Sequence, residues 1–131
     1  MYRLEVTALN TNLTAAEEKL AILIWRDAPI SSPDLVALAQ REMKWKKSTT
    51  YTVLKKLCEK GVTNNENALV SVLLTQDELT TLQSRHYVED TFDGSLPKFI
   101  TSFVGSRKLT PEQVSELKQL IEEYEENGID G

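Results

Sequence analysis

A mainly α-helical chain with one small β-hairpin after its third helix is the fold class this sequence predicts. Three observations predict it. Helix-start signals recur at Thr14, Ser32, Thr75 and Thr110. Apolar residues follow at helical spacing, as in Leu20, Leu23 and Ile24. An Asn-rich stretch then separates two β-prone arms between Val62 and Leu74, which reads as a hairpin.

The elements follow in order. Thr14 can accept from the backbone N–H three residues on, and Glu17 can reach back, so a helix opens there. Asp27-Ala28-Pro29 closes it, because the residue before proline is pushed out of the α region. Pro29-Ile30-Ser31 can form a short strand. Ser32 is the expected cap of a second helix, with Pro33 in the first turn and Asp34 at the positive end of the dipole. Leu35, Val36, Leu38 and Ala39 give it an apolar face. A third helix is expected from about Ser48 to Lys60, with Gly61 as its stop. After the hairpin, Thr75-Gln76-Asp77-Glu78 opens a helix to about Phe92, and Gly94-Ser95 breaks it. A shorter helix covers about Leu96 to Val104. Thr110-Pro111-Glu112-Gln113 opens the last one, which ends at Asn127-Gly128. Val114, Leu117, Leu120, Ile121 and Tyr124 form its apolar stripe, and Glu122 to Glu126 are its solvated end.

Composition narrows the class. The chain has 131 residues, 40% hydrophobic and 27% charged, which is ordinary for a globular protein. The longest apolar run, Leu20 to Trp25, is far short of the roughly 20 residues that span a bilayer. Met1-Tyr2-Arg3-Leu4-Glu5 lacks the pattern of a signal peptide, and Cys58 is the one cysteine. A cytoplasmic location and no internal disulfide are therefore expected. Net charge is −5, divided as +3 over residues 1–62 and −8 over 63–131. Residues 41–60 hold seven basic side chains (Arg41, Lys44, Lys46, Lys47, Lys55, Lys56, Lys60) against Glu42 and Glu59. Such a stripe fits a phosphate-binding edge, or else a solvated helix face.

Three helices and then a hairpin is the order of a winged helix-turn-helix. On the third helix, Thr50, Val53, Leu54, Leu57 and Cys58 share one side and can pack inward. Ser48, Thr52, Lys55 and Glu59 share the other, flanked by Thr49, Tyr51 and Lys56. Short hydroxyl side chains permit close approach to base edges, and lysines and a tyrosine hydroxyl can anchor phosphates. The alternative is an ordinary amphipathic helix with a polar outer face, and Ser48 could equally be its cap. No Arg or Asn stands ready to read a base in two places, so specificity would come from a doubled site and DNA shape.

The Leu13-Thr14-x-x-Glu17 start, the run to Ile24-Trp25, and above all the segment from Lys47-Ser48-Thr49-Thr50-Tyr51-Thr52 to Lys60-Gly61 resemble the penicillinase-repressor (BlaI/MecI/CopY) family. Phe92-Asp93-Gly94-Ser95-Leu96 through Phe103, and Leu109 to Lys118, are similar to its dimerisation region. The resemblance covers about residues 13 to 123. It implies a winged-helix DNA-binding domain over 1–74 and a helical dimerisation domain over 75–131. It implies a transcriptional repressor, a homodimer on a palindromic double-stranded DNA operator. Thr49, Thr52 and Lys56 would lie at the DNA, with Lys47, Ser48, Tyr51 and Lys55 beside them. Leu96, Phe99, Ile100, Phe103, Leu117, Leu120, Ile121 and Tyr124 would form the interface or its support. In one branch a membrane sensor-protease ends repression by cleavage before a phenylalanine. The matching bond is Ser102–Phe103, with serine where the family has asparagine.

Two departures stand out. The wing, Thr63-Asn64-Asn65-Glu66-Asn67, has no basic residue and one acid, so its backbone contact with DNA should be weak or absent. The copper-responsive branch ends in a cysteine-rich metal hook, which soft metals need. Here Cys58 is expected in the core, and no metal site or cofactor is expected. His86 stands alone on a helix, and no Gly-rich phosphate loop or nucleophile elbow is present, so an enzyme is not expected. The rival readings are a winged-helix protein-interaction module and a small-molecule-sensing regulator with weak DNA binding.

Overall fold

The computed structural model describes residues 11–127. Met1 to Glu5 and Gly128, which entered the expectations above, lie outside the described residues. Six helices and a three-stranded antiparallel sheet are found among the described residues.

Helix α1 spans Ala15–Asp27. Its capping box forms as expected: Glu17 N donates to Thr14 Oγ1 at 3.1 Å and Thr14 N to Glu17 Oε1 at 2.9 Å. Ala28 after it is extended, as the following proline requires. Strand β1 is Ile30–Ser31, and α2 is Ser32–Met43. The cap of α2 is Ser31 and not Ser32, its Oγ accepting from Asp34 N at 3.1 Å. The reason lies elsewhere in the chain. Ser31 is held extended by pairing with Leu69 and ends the strand there, so the helix begins directly after it at Ser32, one residue earlier than expected, with Pro33 and Asp34 still in its first turn.

Helix α3 spans Lys47–Glu59. Its end is a Schellman turn: Gly61 N donates to Cys58 O and Val62 N to Leu57 O, both at 3.0 Å. Gly61 takes φ +80°, where a Cβ would be strained. Strands β2 (Thr63–Glu66) and β3 (Leu69–Val72) follow, in the sheet order β1-β3-β2. The turn is smaller than the Asn-rich composition implies. Asn64 and Asn65 pair in the ladder with Ser71 and Val70. Only Asn67 and Ala68 make the loop, at φ 52° and 60°. Positive φ at both central residues matches the right-handed twist of the two strands.

The core of this first unit comes from its helices and from the strand β3 with its flanks. Leu20, Ala21, Leu23 and Ile24 of α1 meet Leu35, Leu38 and Ala39 of α2 and Leu54 and Leu57 of α3. Val62, Val70, Leu74 and Leu79 close it. Each buried leucine contributes about 1.5–3 kcal/mol relative to an exposed one. Trp25 Nε1 donates to Leu74 O at 2.9 Å, fastening the end of the wing to α1.

Helix α4 spans Gln76–Phe92, opened by the Thr75–Glu78 box. The first compact unit extends to Tyr87, and the second runs from Val88. Asp93 and Gly94 take positive φ and end α4. Helix α5 is Leu96–Ser106, capped by Ser95, and α6 is Pro111–Glu126, with the Thr110–Gln113 box in place. Phe92 and Phe99 meet edge to face at 5.6 Å. No helix among the described residues is long and apolar enough to cross a membrane.

Candidate nucleic-acid interface

The spacing of its apolar positions decides which way α3 faces. Thr50, Leu54 and Leu57 lie one turn apart and are buried, while Val53 and Cys58 are half-buried beside them. Cys58 Sγ sits 3.3 Å from Thr63 Oγ1 and packs against the core. The opposite side is open: Lys47, Ser48, Thr49, Thr52, Lys55, Lys56 and Glu59 are all exposed. Tyr51 stands at the edge, half-buried, its hydroxyl donating to Ser32 Oγ at 3.4 Å.

The start of α3 differs from expectation. Its cap is Lys46, which makes no side-chain cap bond, so Ser48 lies inside the first turn and is not a cap. No acidic residue occupies that turn. The positive end of the helix dipole therefore coincides with Lys46 and Lys47, and the combination favours anions.

The basic stripe is sorted by the fold. Arg41, Lys44, Lys46, Lys47, Lys55 and Lys56 are exposed. Lys60 leaves the stripe. Its Nζ lies 2.6 Å from Glu17 Oε1 and donates to Asn12 O at 2.9 Å. Glu17 is only 3% exposed. Burial pushes its carboxyl up, but the Lys60 hydrogen bond, the Thr14 N–H and the charges of Lys60 and Lys56 outweigh that and hold it below its ordinary value. This pair fixes the end of α3 against the start of α1. No local signal announces it, since the partners are 43 residues apart.

On the wing, Asn65, Glu66, Asn67, Ala68 and Leu69 are exposed, with Asn64 Nδ2 donating to Glu66 Oε1 at 3.4 Å. The strands and loop offer no cation to a phosphate. His86 is half-buried, with Nδ1 3.2 Å from Thr11 Oγ1.

The second unit has a different character. None of its described side chains is buried. Leu96, Phe103, Leu120, Ile121 and Tyr124 are exposed, at 57%, 45%, 62%, 58% and 63%. Phe99, Ile100 and Leu117 are half-buried. Phe99, Ile100, Phe103, Leu109, Leu117 and Leu120 line an open apolar groove of about 340 Å³ between α5 and α6. Ser102, beside Phe103 on α5, is exposed.

The sequence matches the profile of the penicillinase-repressor family over residues 13–123. It is also 21% identical over 116 residues to the penicillinase repressor of Bacillus licheniformis, covering 86% of this chain and 91% of that protein.

Proposed function

The chain belongs to the penicillinase-repressor family, a family of transcriptional repressors, and from that premise we propose that it binds a palindromic operator as a homodimer. Each protomer lays α3 in a major groove of double-stranded DNA, the two half-sites about one helical turn (~34 Å) apart or a multiple of it. Lys47, Lys55 and Lys56 hold phosphates. Ser48, Thr49 and Thr52 meet base edges, with Tyr51 at the rim. The observation that carries this reading is the exposed face of hydroxyls and lysines on a helix whose other side is fixed in the core.

Residues 1–74 act as the DNA-binding domain and 75–131 as the dimerisation domain. Of the latter, the first part of α4, to Tyr87, packs with the first unit, and the interface falls to the residues after it. A second copy covers Leu96, Phe99, Ile100, Phe103, Leu117, Leu120, Ile121 and Tyr124. The absence of any buried described side chain in the second unit supports this, because exposed apolar surface of that kind marks an interface. The protein works in the cytoplasm, needs no cofactor and has no catalytic activity of its own. Cleavage of Ser102–Phe103 by a membrane sensor-protease is the route of release that matches the family, and both side chains are exposed.

The test is binding to a labelled duplex from the protein's own upstream DNA, over 50–300 mM salt. Three phosphate-bound lysines per protomer give a log–log slope of about −5 for the dimer. A slope near zero would remove DNA as the ligand and favour a protein-interaction module.

A further inference from the structure

Tyr51 lies at the boundary between the two sides of α3. Its ring packs against the core and its hydroxyl turns toward α2. Ser32, which accepts that hydroxyl, is 4% exposed. The same serine donates its backbone N–H to Ala68 O at 2.8 Å, in the loop of the wing. Ser31 beside it pairs with Leu69 of β3. One residue of α2 thus receives a bond from α3 and gives one to the wing.

Two further facts give this link weight. The first turn of α3 has no side-chain cap, so its orientation depends on packing and on bonds such as this one. The wing carries no cation, so it has little charge with which to hold DNA directly. We propose that Tyr51 is a positioning residue, whose bond to Ser32 sets how α3 presents Ser48, Thr49 and Thr52 and couples that helix to the wing. This role rests on the DNA-binding reading above. It deepens that reading by separating Tyr51 from the phosphate-holding lysines.

A positioning residue and a phosphate anchor predict different results. The test measures binding of the full-length protein and of Tyr51→Phe, Ser32→Ala and the double variant. The two duplexes are the protein's own upstream DNA and a scrambled one of equal length, each over a range of salt. With two half-sites each losing one long hydrogen bond, at 3.4 Å, operator affinity should fall about threefold to fivefold. Affinity for the scrambled duplex and the salt slope should stay as in the native protein, because the phosphate contacts are intact. The double variant should be no weaker than either single one, because both remove the same bond. Tyr51→Phe keeps the ring and its packing, so it alone decides the matter if Ser32→Ala does not fold. An equal loss on both duplexes or an unchanged operator affinity would each overturn the positioning role. Native protein that shows no salt-dependent binding to either duplex would overturn the DNA reading itself, and this role with it.

Discussion

Replacing Lys60 by methionine removes the cation from Glu17 and leaves a side chain of similar length in the same space. Lys60 is 17% exposed at its side chain and Glu17 3%, so water replaces little of what is lost. The carboxylate keeps one bond, from Thr14 N at 2.9 Å. Stranding a buried charge in this way costs about 3–5 kcal/mol. Protonation sets a ceiling. At pH 7 a carboxyl with an unfolded pKa of about 4.3 can take up a proton for roughly 3.7 kcal/mol, so the stranded charge by itself cannot cost more than that. With the Thr14 bond retained, a loss of about 3 kcal/mol is expected at pH 7. The ceiling falls to about 1 kcal/mol near pH 5.

The native protein has the opposite dependence. Its Glu17 pKa is lowered on folding, so the stabilisation is fully present above the unfolded value and is lost as pH falls through the folded one. The two stability curves should therefore converge toward acid pH. Both tryptophans of the chain, Trp25 and Trp45, belong to the first unit, so urea unfolding followed by tryptophan fluorescence reports on it. Adding Glu17→Gln to Lys60→Met should recover most of the loss. A loss below about 1 kcal/mol at pH 7, or one that does not change between pH 7 and 5, would refute the reasoning.

Three other outcomes are expected. Lys56→Ala should weaken operator binding and make the salt slope shallower by about 2, one phosphate for each protomer; unchanged affinity and slope in the same titration would count against the assigned face. Leu120→Asp places a charge on a side chain that is 62% exposed and proposed to be covered by the partner copy. Sedimentation should then show monomer at micromolar concentration, and an intact dimer would reject the assignment. Ala68→Gly should stabilise the first unit by about 0.5 kcal/mol, because Ala68 sits at φ 60° where a Cβ is strained; a lower urea midpoint would show that the loop tolerates alanine without strain.

Where a signal is local, it is legible in the sequence. The boxes at Thr14, Thr75 and Thr110 each join residues three apart, and all three form. The inward and outward sides of α3 follow from its period alone. What was not legible depends on distant partners. The expected cap of α2 is Ser32, and the cap found is Ser31, because the pairing of Ser31 with Leu69 ends a strand there and α2 starts directly after it. Asn64 and Asn65 look like turn residues by composition. They lie in a strand because β3, held by buried Val70, gives them a ladder to join. Lys60 belongs to the basic stripe in sequence and to Glu17 in space. Tyr51 falls at the edge of the helical wheel, where periodicity does not say whether a hydroxyl faces DNA or a neighbouring helix.

From Val88 to Asn127, every described side chain keeps some access to water. A region built this way has little internal cohesion, so in the proposed homodimer its order and its association would be one equilibrium. Dilution would then melt it as well as separate the proposed copies. For a regulator, the amount made by the cell would set how much of it is folded enough to act, so a small rise in synthesis near that threshold would sharpen its response.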